Sequence, residues 1–291
     1  MTKLKYFIKL ARVNQYTKNL FIFLPAFFNL QLYDYSIFKN SILSFISFSF
    51  VASSIYILND VIDVNEDVLH PEKKNRPIAS GRIKVTEAYV FSSILLLLGL
   101  LVAFVISSNV LILICSYLAL NFAYSMGLKK IAIVDIVIVS TGFVLRLFVG
   151  SYSTNISLSH WIIIMTFLLS IFLALAKRRD DLIIYRDSKI KMRKSMEAYN
   201  LKFIDSALVI SSSIVILAYI LWSISEDVVI KFNTSYLYVS SIFVFLGIMR
   251  YLQITFVEEK SGNPSKILLT DFFLIITIIL WILFFTFIKL F

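Results

Sequence analysis

Three aspartates and an asparagine open a polar stretch, residues 59–84, of a mostly apolar chain. Asn59, Asp60, Asp63 and Asp67 follow one another at steps of one, three and four residues. On a continuous α-helix the three carboxylates lie within about 60° of one another. Like charges on one helix face repel unless a cation shares them. Because Mg²⁺ binds a few carboxylate oxygens together with substrate phosphates, the spacing predicts a magnesium site at Asp60, Asp63 and Asp67.

Basic residues follow the aspartates in the same stretch, namely Lys73, Lys74, Arg76 and Arg82. Ammonium and guanidinium groups are the usual side-chain partners of phosphate oxygens. Carboxylates and bases together predict a site for a metal–diphosphate group. The alternative is a solvated loop whose charges only pair with one another.

A second polar stretch, residues 177–202, begins with Lys177, Arg178 and Arg179 and continues with Asp180 and Asp181. A basic cluster at a helix end is often only a topology signal. The adjacent acids are less expected from that interpretation, and they predict a second metal-facing carboxylate. The later bases predict a surface for anionic lipid head groups; they are Lys189, Lys191, Arg193 and Lys194.

Two arginines fall inside apolar segments, where a charge is costly. Arg146 lies eleven residues after Asp135, about three turns, and so on the same helix face. The sequence leaves open whether Arg146 binds a substrate phosphate or pairs within the helix bundle, and Arg250 carries the same two interpretations. Tyr124 and Lys129 flank the inner end of a predicted span and are candidates to contact a head group.

The composition predicts a polytopic α-helical membrane protein. The chain has 291 residues, of which 59% are hydrophobic, and a mean hydropathy of +0.86. Its apolar runs are solid instead of alternating, which disfavours a membrane β-barrel. With Cys115 the only cysteine and His70 and His160 the only histidines, an internal disulfide and a histidine-based triad are not expected.

Hydropathy predicts nine spans in one domain that covers residues 1–291, with the stretches 59–84 and 177–202 capping the active site. The spans fall at about 19–34, 40–58, 85–107, 109–126, 131–150, 160–177, 203–224, 234–254 and 267–289. With the N-terminus inside, 23 of the 28 Lys and Arg residues lie in inner segments and three in outer ones. This bias places both polar stretches in the cytoplasm, and it accounts for the net charge of +10 without a nucleic-acid partner.

These features resemble the UbiA superfamily of intramembrane prenyltransferases. Asn59-Asp60-x-x-Asp63-x-x-x-Asp67 resembles its first Asp-rich motif, and residues 177–182 occupy the place of the second. The resemblance covers nearly the whole chain and implies the nine-helix UbiA bundle.

Within the superfamily, the chain is most similar to the decaprenyl-phosphate phosphoribosyltransferase branch. The similarity lies in RVNQYTKN at 12–19, HPEKKNRPIASG at 70–81 and AKRRDDL at 176–182. Asp181 stands where the branch has glutamate, and Ala176 where it has glycine. Aromatic prenyltransferases typically carry a DxxxD pattern in the second motif, which is broken here between Asp181 and Tyr185.

The resemblance implies transfer of 5-phosphoribose from phosphoribosyl diphosphate (PRPP) to a polyprenyl (decaprenyl) phosphate, dependent on Mg²⁺, for arabinofuranose-type cell-wall donors. It implies PRPP, the polyprenyl phosphate and membrane lipids as partners and is consistent with a homo-oligomer. The expected location is the inner membrane of a bacterium, with the N-terminus and the active site facing the cytoplasm.

The resemblance also implies roles for residues. Asp60, Asp63, Asp67 and Asp181 are the expected catalytic metal ligands, with Asn59 as a neutral helper. The expected ligands of phosphates and head groups are Lys18, Asn19, Lys73, Lys74, Arg76, Tyr124, Lys129, Arg146, Lys177, Arg178 and Arg250.

Two alternative functions remain open at this point. One is a UbiA-type aromatic prenyltransferase that uses prenyl diphosphate as its donor. The other is a lipid transporter or flippase, which needs internal charges on several helices and no Mg²⁺.

Overall fold

The computed structural model describes residues 3–69, 73–188 and 194–290. Within these ranges the chain is helical and contains no β-strand, which confirms the all-α fold class. The α-helices are α1 Lys3–Leu10, α2 Leu24–Phe28, α3 Tyr35–Ile62, α4 Val64–Leu69, α5 Val85–Ile106, α6 Ser108–Met126, α7 Val134–Thr154, α8 His160–Ser188, α9 Leu201–Ser223, α10 Glu226–Phe232, α11 Ser241–Phe256, α12 Pro264–Thr270 and α13 Phe272–Leu290. Shorter 3₁₀ segments span Val13–Phe23, Lys73–Asn75, Leu128–Lys130, Lys194–Ala198 and Tyr236–Ser240.

Seven helical segments are long and apolar enough to cross a membrane. They are α3, α5, α6, α7, α8, α9, and α11 with the 3₁₀ segment before it. Helices α12 and α13 meet at an angle of 78° and add an eighth crossing if they form one bent span. Among the described residues the predicted count of nine is therefore not reproduced.

The predicted first span, residues 19–34, is not one continuous helix. Val13–Phe23 is a 3₁₀ segment, and the α2 helix that follows has five residues with Pro25 in its first turn. Proline lacks an amide hydrogen and is tolerated in the first turn of a helix but not in its interior. Pro25 therefore begins a new helix and does not continue an existing one.

Contacts divide the chain into two compact units. Unit 1 comprises Met1–Gly127 with Gly142–Leu158, and unit 2 comprises Leu128–Thr141 with Ser159–Phe291. The boundary falls within α7, so the first third of this helix belongs to unit 2 and the remainder to unit 1.

In unit 1, small residues let α3 and α5 pack closely. Ser47 Oγ donates to the Gly99 carbonyl at 2.7 Å, and Ser92 Oγ donates to the Ser54 carbonyl at 3.1 Å. A Cβ atom at Gly99 would collide with α3. Small residues and interhelical hydrogen bonds are the usual means by which membrane helices associate. This packing holds α3, and with it Asp60 near the end of that helix, in place.

In unit 2, α8, α9 and α11 share a buried apolar cluster. Phe172 of α8 packs edge-to-face against Tyr251 of α11 at a centroid distance of 5.5 Å. Ile204 and Leu208 of α9 are fully buried in the same cluster. This packing holds α8 in place, and α8 carries the second predicted motif, residues 177–182.

Candidate active site

In unit 1, Asp60 and Asp67 converge on one guanidinium group. Asp60 lies in α3 and Asp67 in α4, and only 3% and 2% of their surfaces are exposed. Nη1 of Arg76 donates to Oδ1 of Asp60 at 2.9 Å and to Oδ2 of Asp67 at 2.6 Å. Sharing a cation offsets the repulsion between two buried carboxylates.

Arg12 and Lys73 bring two further positive charges to this cluster. Nη2 of Arg12 donates to Oδ1 of Asp60 at 2.5 Å, and its guanidinium lies 5.1 Å from the centre of the Tyr56 ring. Nζ of Lys73 lies 3.9 Å from Oδ1 of Asp67. Three cations therefore lie beside these two carboxylates, and guanidinium and ammonium groups are the usual partners of phosphate oxygens.

The expectation that Asp60, Asp63 and Asp67 lie on one face of a continuous helix is wrong. The helix breaks at Asp63, since α3 ends immediately before this half-buried residue and α4 begins immediately after it. Tertiary contacts through Arg76 bring Asp60 and Asp67 together instead. Among the described residues, no three His, Cys, Asp or Glu side chains are grouped closely enough to hold a metal. A metal at this cluster would therefore need substrate oxygens as additional ligands.

Other residues of the first polar stretch have different environments. Ser125 Oγ donates to Oδ1 of Asn59 at 2.9 Å, so Asn59 contacts the end of α6. Lys74 is exposed. His70 lies outside the described residues, as do residues 189–193 of the predicted lipid-binding surface.

Arg146 of α7 is a buried cation of unit 1, with 4% of its surface exposed. Its Nε donates to Oδ1 of Asn19 at 2.8 Å, and its Nη1 donates to the Gly142 carbonyl at 2.6 Å. Nη2 donates to the Tyr117 hydroxyl at 3.4 Å. Three aromatic rings face the guanidinium at 4.6 to 5.2 Å, those of Phe48, Tyr117 and Phe143. All these partners are neutral, and no carboxylate within the described ranges contacts Arg146.

Lys18 is a second cation of unit 1 that lies near Arg146. Its side chain is half-buried and has no hydrogen-bond or ion-pair partner in the part of the chain that the structure describes. Burial, together with the nearby charges of Arg146 and Arg12, lowers the pKa of Lys18 from 10.5 to about 8. Arg146 therefore pairs within the bundle through neutral groups, and phosphate binding by this residue stays a prediction.

In unit 2, Arg178 links two acids. Its Nε donates to Oδ2 of Asp135 at 2.8 Å, and its Nη1 donates to Oδ2 of Asp181 at 2.6 Å. Asp135 also accepts from the Tyr199 hydroxyl at 2.9 Å, and that hydroxyl accepts from the Ile133 N–H. Burial raises the pKa of Tyr199 to about 12, so its hydroxyl remains a donor at neutral pH. Asp181, the predicted metal ligand, is thus held by an arginine that is itself anchored.

Arg250 is bound by acids of unit 2. Its Nη2 lies 2.7 Å from Oδ2 of Asp271, and its Nη1 lies 2.9 Å from Oε1 of Glu258. This geometry favours a structural role over phosphate binding. The remaining predicted residues are Lys177, which is exposed, and Lys129 and Tyr124, which are half-buried in units 2 and 1 respectively.

Three members of these clusters were not predicted as site residues: Arg12, Asp135 and Tyr199. Arg12 opens the same run, 12–19, that carries Lys18 and Asn19, so its position was a usable signal. A carboxylate inside an apolar segment, such as Asp135, needs a partner, but the sequence did not identify Arg178 as that partner.

Relatives of known name match nearly the whole chain. A decaprenyl-phosphate phosphoribosyltransferase from Mycolicibacterium smegmatis is 33% identical over 285 residues, covering 94% of this chain and 89% of that protein. A protein of the same name from Mycobacterium tuberculosis is 32% identical over 279 residues, covering 94% and 91% respectively.

Solved structures share the fold. A UbiA homolog from Archaeoglobus fulgidus bound to GPP and Mg²⁺ matches with a TM-score of 0.72 and 18% identity, covering 98% of this chain and 99% of the other. A digeranylgeranylglyceryl phosphate synthase matches with a TM-score of 0.64 and 23% identity, covering 97% and 99%. The UbiA prenyltransferase family matches residues 20–276. The chain is a multi-pass membrane protein, and it belongs to the UbiA prenyltransferase family.

Proposed function

We propose that the protein transfers the 5-phosphoribosyl group of PRPP to a polyprenyl phosphate and releases diphosphate. The observation that carries this proposal is the cluster of two buried carboxylates and three cations around Asp60 and Asp67. A diphosphate that leaves together with a divalent metal requires carboxylates to bind the metal and cations to bind the phosphate oxygens. The names of the relatives that match most of the chain support PRPP as the donor.

Asp60 and Asp67 fit a Mg²⁺ ion. Their oxygens lie within 2.9 Å of one Arg76 nitrogen, so a single positive group already lies between them. Mg²⁺ usually takes one or two carboxylates and completes its shell with water and substrate phosphates. The two carboxylates that converge among the described residues match this requirement. Bound there, the ion would neutralise charge that develops on the diphosphate. Asp63, at the helix break, is the proposed third ligand.

The protein's own residues would mainly orient the charged groups of the substrates. Arg12, Lys73 and Arg76 would orient the diphosphate by charge-assisted hydrogen bonds. An oxygen of the polyprenyl phosphate attacks C1 of the ribose, and the C1–O bond to diphosphate breaks, with the electron pair leaving on diphosphate. The attacking oxygen is already ionised at neutral pH, so no general base is required. We expect inversion at C1 from in-line displacement.

Two residues of unit 2 have proposed roles that follow from the resemblance. Arg178 would bind a substrate phosphate, and Asp181 would bind a metal ion. The support is that the buried Asp135 fixes Arg178, which in turn fixes Asp181.

A prenyl diphosphate donor is the second candidate. It is favoured by the family's activity and by a digeranylgeranylglyceryl phosphate synthase from Sulfurisphaera tokodaii, which is 34% identical over 109 residues. That match covers only 38% of this chain, whereas the phosphoribosyltransferase matches cover 94%. A transporter or flippase is not supported, because the family consists of transferases.

We further propose that the N-terminus and the reaction lie at the cytoplasmic face of a bacterial cell membrane. The support is the excess of Lys and Arg in the inner segments of the predicted topology. A homo-oligomer remains a prediction.

A transfer assay tests the proposed reaction. Purified protein in detergent receives radiolabelled PRPP, polyprenyl phosphate and Mg²⁺. We expect label in the lipid extract that disappears with EDTA and with Asp60→Asn. Labelled lipid from prenyl diphosphate and an aromatic acceptor, with none from PRPP, would instead establish the second candidate.

A further inference from the structure

The turn that precedes α7 in unit 2 is strained. Ile133 has a φ of 67°, in the left-handed region that β-branched residues rarely adopt. The Val134 N–H donates to the Ala132 carbonyl at 2.8 Å, which closes a γ-turn centred on Ile133, and the form of this turn with positive φ is rare. Ile133 is 58% exposed, so packing of its side chain does not account for this conformation.

The Tyr199 hydroxyl holds this turn through two hydrogen bonds. It accepts one from the Ile133 N–H and donates one to Oδ1 of Asp135 at 2.9 Å. Backbone strain persists only where surrounding contacts enforce it, and this hydroxyl supplies contacts on both sides of Val134. A single side chain therefore fixes the strained residue and the carboxylate that follows it two positions later.

Tyr199 is itself held by α9. Its ring stacks against Phe203 at a centroid distance of 6.0 Å and an interplanar angle of 22°. Asn200 caps α9 by accepting a hydrogen bond from the Phe203 N–H at 2.8 Å. Tyr199 also belongs to the buried apolar cluster that α8, α9 and α11 share. The hydroxyl is therefore presented to the turn from a fixed support.

Asp135 connects the turn to the second predicted motif. Its Oδ1 accepts from Tyr199, and its Oδ2 accepts from Nε of Arg178 at 2.8 Å. Nη1 of Arg178 then donates to Oδ2 of Asp181 at 2.6 Å. Three consecutive hydrogen bonds thus lead from the Tyr199 hydroxyl to Asp181. Relaxation of the turn would move Asp135, and with it Arg178.

We propose that Tyr199 is a positioning residue, whose hydroxyl holds the strained turn at Ile133 so that Asp135 keeps Arg178 and Asp181 in place. This inference rests on the proposed function, in which Arg178 binds a substrate phosphate and Asp181 binds a metal ion. The competing interpretation is that the hydroxyl only contributes stability, as a buried and hydrogen-bonded tyrosine commonly does. The two interpretations differ in whether loss of the hydroxyl impairs transfer.

Tyr199→Phe is the first test, because it removes the hydroxyl and keeps the ring that stacks against Phe203. The Ile133 N–H then loses its acceptor, and Asp135 loses a donor. We expect the maximal rate of transfer from PRPP to fall at least about tenfold, and the Mg²⁺ concentration for half-maximal rate to rise, as for other residues that orient metal ligands. Hydrogen–deuterium exchange of the Ile133 amide, read by mass spectrometry of the full chain in detergent, should accelerate about tenfold when its hydrogen bond is lost.

Tyr219→Phe is the matched control within unit 2. Tyr219 is also buried, and its hydroxyl also has two partners, Ser240 Oγ at 2.8 Å and Nε1 of Trp281 at 2.7 Å. None of these three residues is a predicted site residue. Its loss should lower the melting temperature about as much as Tyr199→Phe does. The transfer rate, the Mg²⁺ dependence and the exchange of the Ile133 amide should stay as in the unsubstituted protein.

Ile133→Gly tests whether the hydroxyl opposes backbone strain. Glycine adopts positive φ without steric cost, and the exposed Ile133 side chain has little packing to lose. Added to Tyr199→Phe, this substitution should recover at least about threefold in the transfer rate, because the turn is no longer strained. A hydroxyl that only contributes stability predicts no recovery.

The proposal is overturned if Tyr199→Phe transfers as fast as Tyr219→Phe, or if adding Ile133→Gly recovers nothing. Hydrogen exchange needs no substrate, so it separates this proposal from the proposed reaction. Faster exchange of the Ile133 amide in Tyr199→Phe alone, in a protein that transfers nothing from PRPP, would reject the proposed reaction and retain the contact between the hydroxyl and the turn. Equal exchange of this amide in the two phenylalanine variants would overturn the proposal in either case.

Discussion

Nε of Arg178 donates a 2.8 Å hydrogen bond to Oδ2 of Asp135, a carboxylate with no exposed surface. Removing one partner of a buried ion pair leaves an uncompensated charge, and this costs more than the pair contributes net. Asp135 is therefore a positioning residue, which acts through Arg178 on Asp181.

Asp135→Asn should lower both stability and transfer. The amide keeps the shape of the carboxylate but removes its charge, so we expect a loss of about 3 kcal/mol in the free energy of unfolding. The transfer rate should fall at least about tenfold, because Arg178 and Asp181 lose their fixed position. Thermal unfolding and initial rates measure the two effects. Asp227→Asn is the control, since Asp227 is exposed in α10; similar behaviour of the two variants would contradict the positioning role.

Asp67→Asn should abolish most transfer, although Asp67 lies outside the helix that carries Asp60. Both carboxylates bind the same Arg76 nitrogen, so we expect the two Asn variants to have similar defects of about a hundredfold or more in rate. The Mg²⁺ concentration needed for half-maximal rate should rise in both.

Asp34→Asn provides the comparison at the opposite end of α3. Asp34 caps this helix by accepting from the N–H groups of Ser36 and Ile37, and asparagine caps nearly as well. Its rate should therefore be unchanged. Full activity of Asp67→Asn at ordinary Mg²⁺ concentration would remove Asp67 from the site.

The sequence was sufficient to predict an all-α membrane protein and the acidic stretch around Asp60 and Asp67. Both features depend on local patterns, namely long apolar runs and closely spaced acids. The helix break at Asp63 was not predicted, because the acidic spacing is compatible with a continuous helix.

Contacts between distant residues were beyond the sequence argument. Arg12 binds an acid 48 residues away, and Arg178 binds one 43 residues away. No periodicity encodes such pairs. The predicted first span failed for a local reason, since an apolar composition does not distinguish an α-helix from a 3₁₀ segment that ends before Pro25.

Gly150→Ala should weaken unit 1 at the level of Lys18. A Cβ atom at Gly150 of α7 would collide with the Ile22 carbonyl oxygen, and Ile22 belongs to the same 3₁₀ segment as Lys18 and Asn19. Separating the segment from α7 should cost about 1 to 3 kcal/mol. Thermal unfolding measures the loss.

Gly247→Ala is the matched helix-interior control for Gly150→Ala. A Cβ atom at Gly247 would contact only Cγ2 of Thr277 at 3.9 Å, so alanine should stabilise α11 slightly through its helix propensity. If Gly150→Ala is as stable as Gly247→Ala, the close approach of α7 to Ile22 does not contribute to stability.

Lys18 should become reactive toward amine reagents at a lower pH than a lysine of the unfolded chain. Only the neutral amine is acetylated, and with a pKa of about 8 in the folded protein the rate should reach half its maximum near that pH. In denatured protein the midpoint should return to about 10.4. Besides burial, the positive charges of Arg146 and Arg12 lower the pKa of Lys18.

The same shift also fixes the sign of a pH dependence of stability, which thermal unfolding at several pH values measures. Between pH 8 and 10.5 the folded state binds fewer protons at Lys18 than the unfolded chain, so the contribution of this residue to stability rises with pH across that window. Acetylation at Lys18 is read by mass spectrometry. Equal midpoints in folded and denatured protein would show that Lys18 is hydrated as in an unfolded chain.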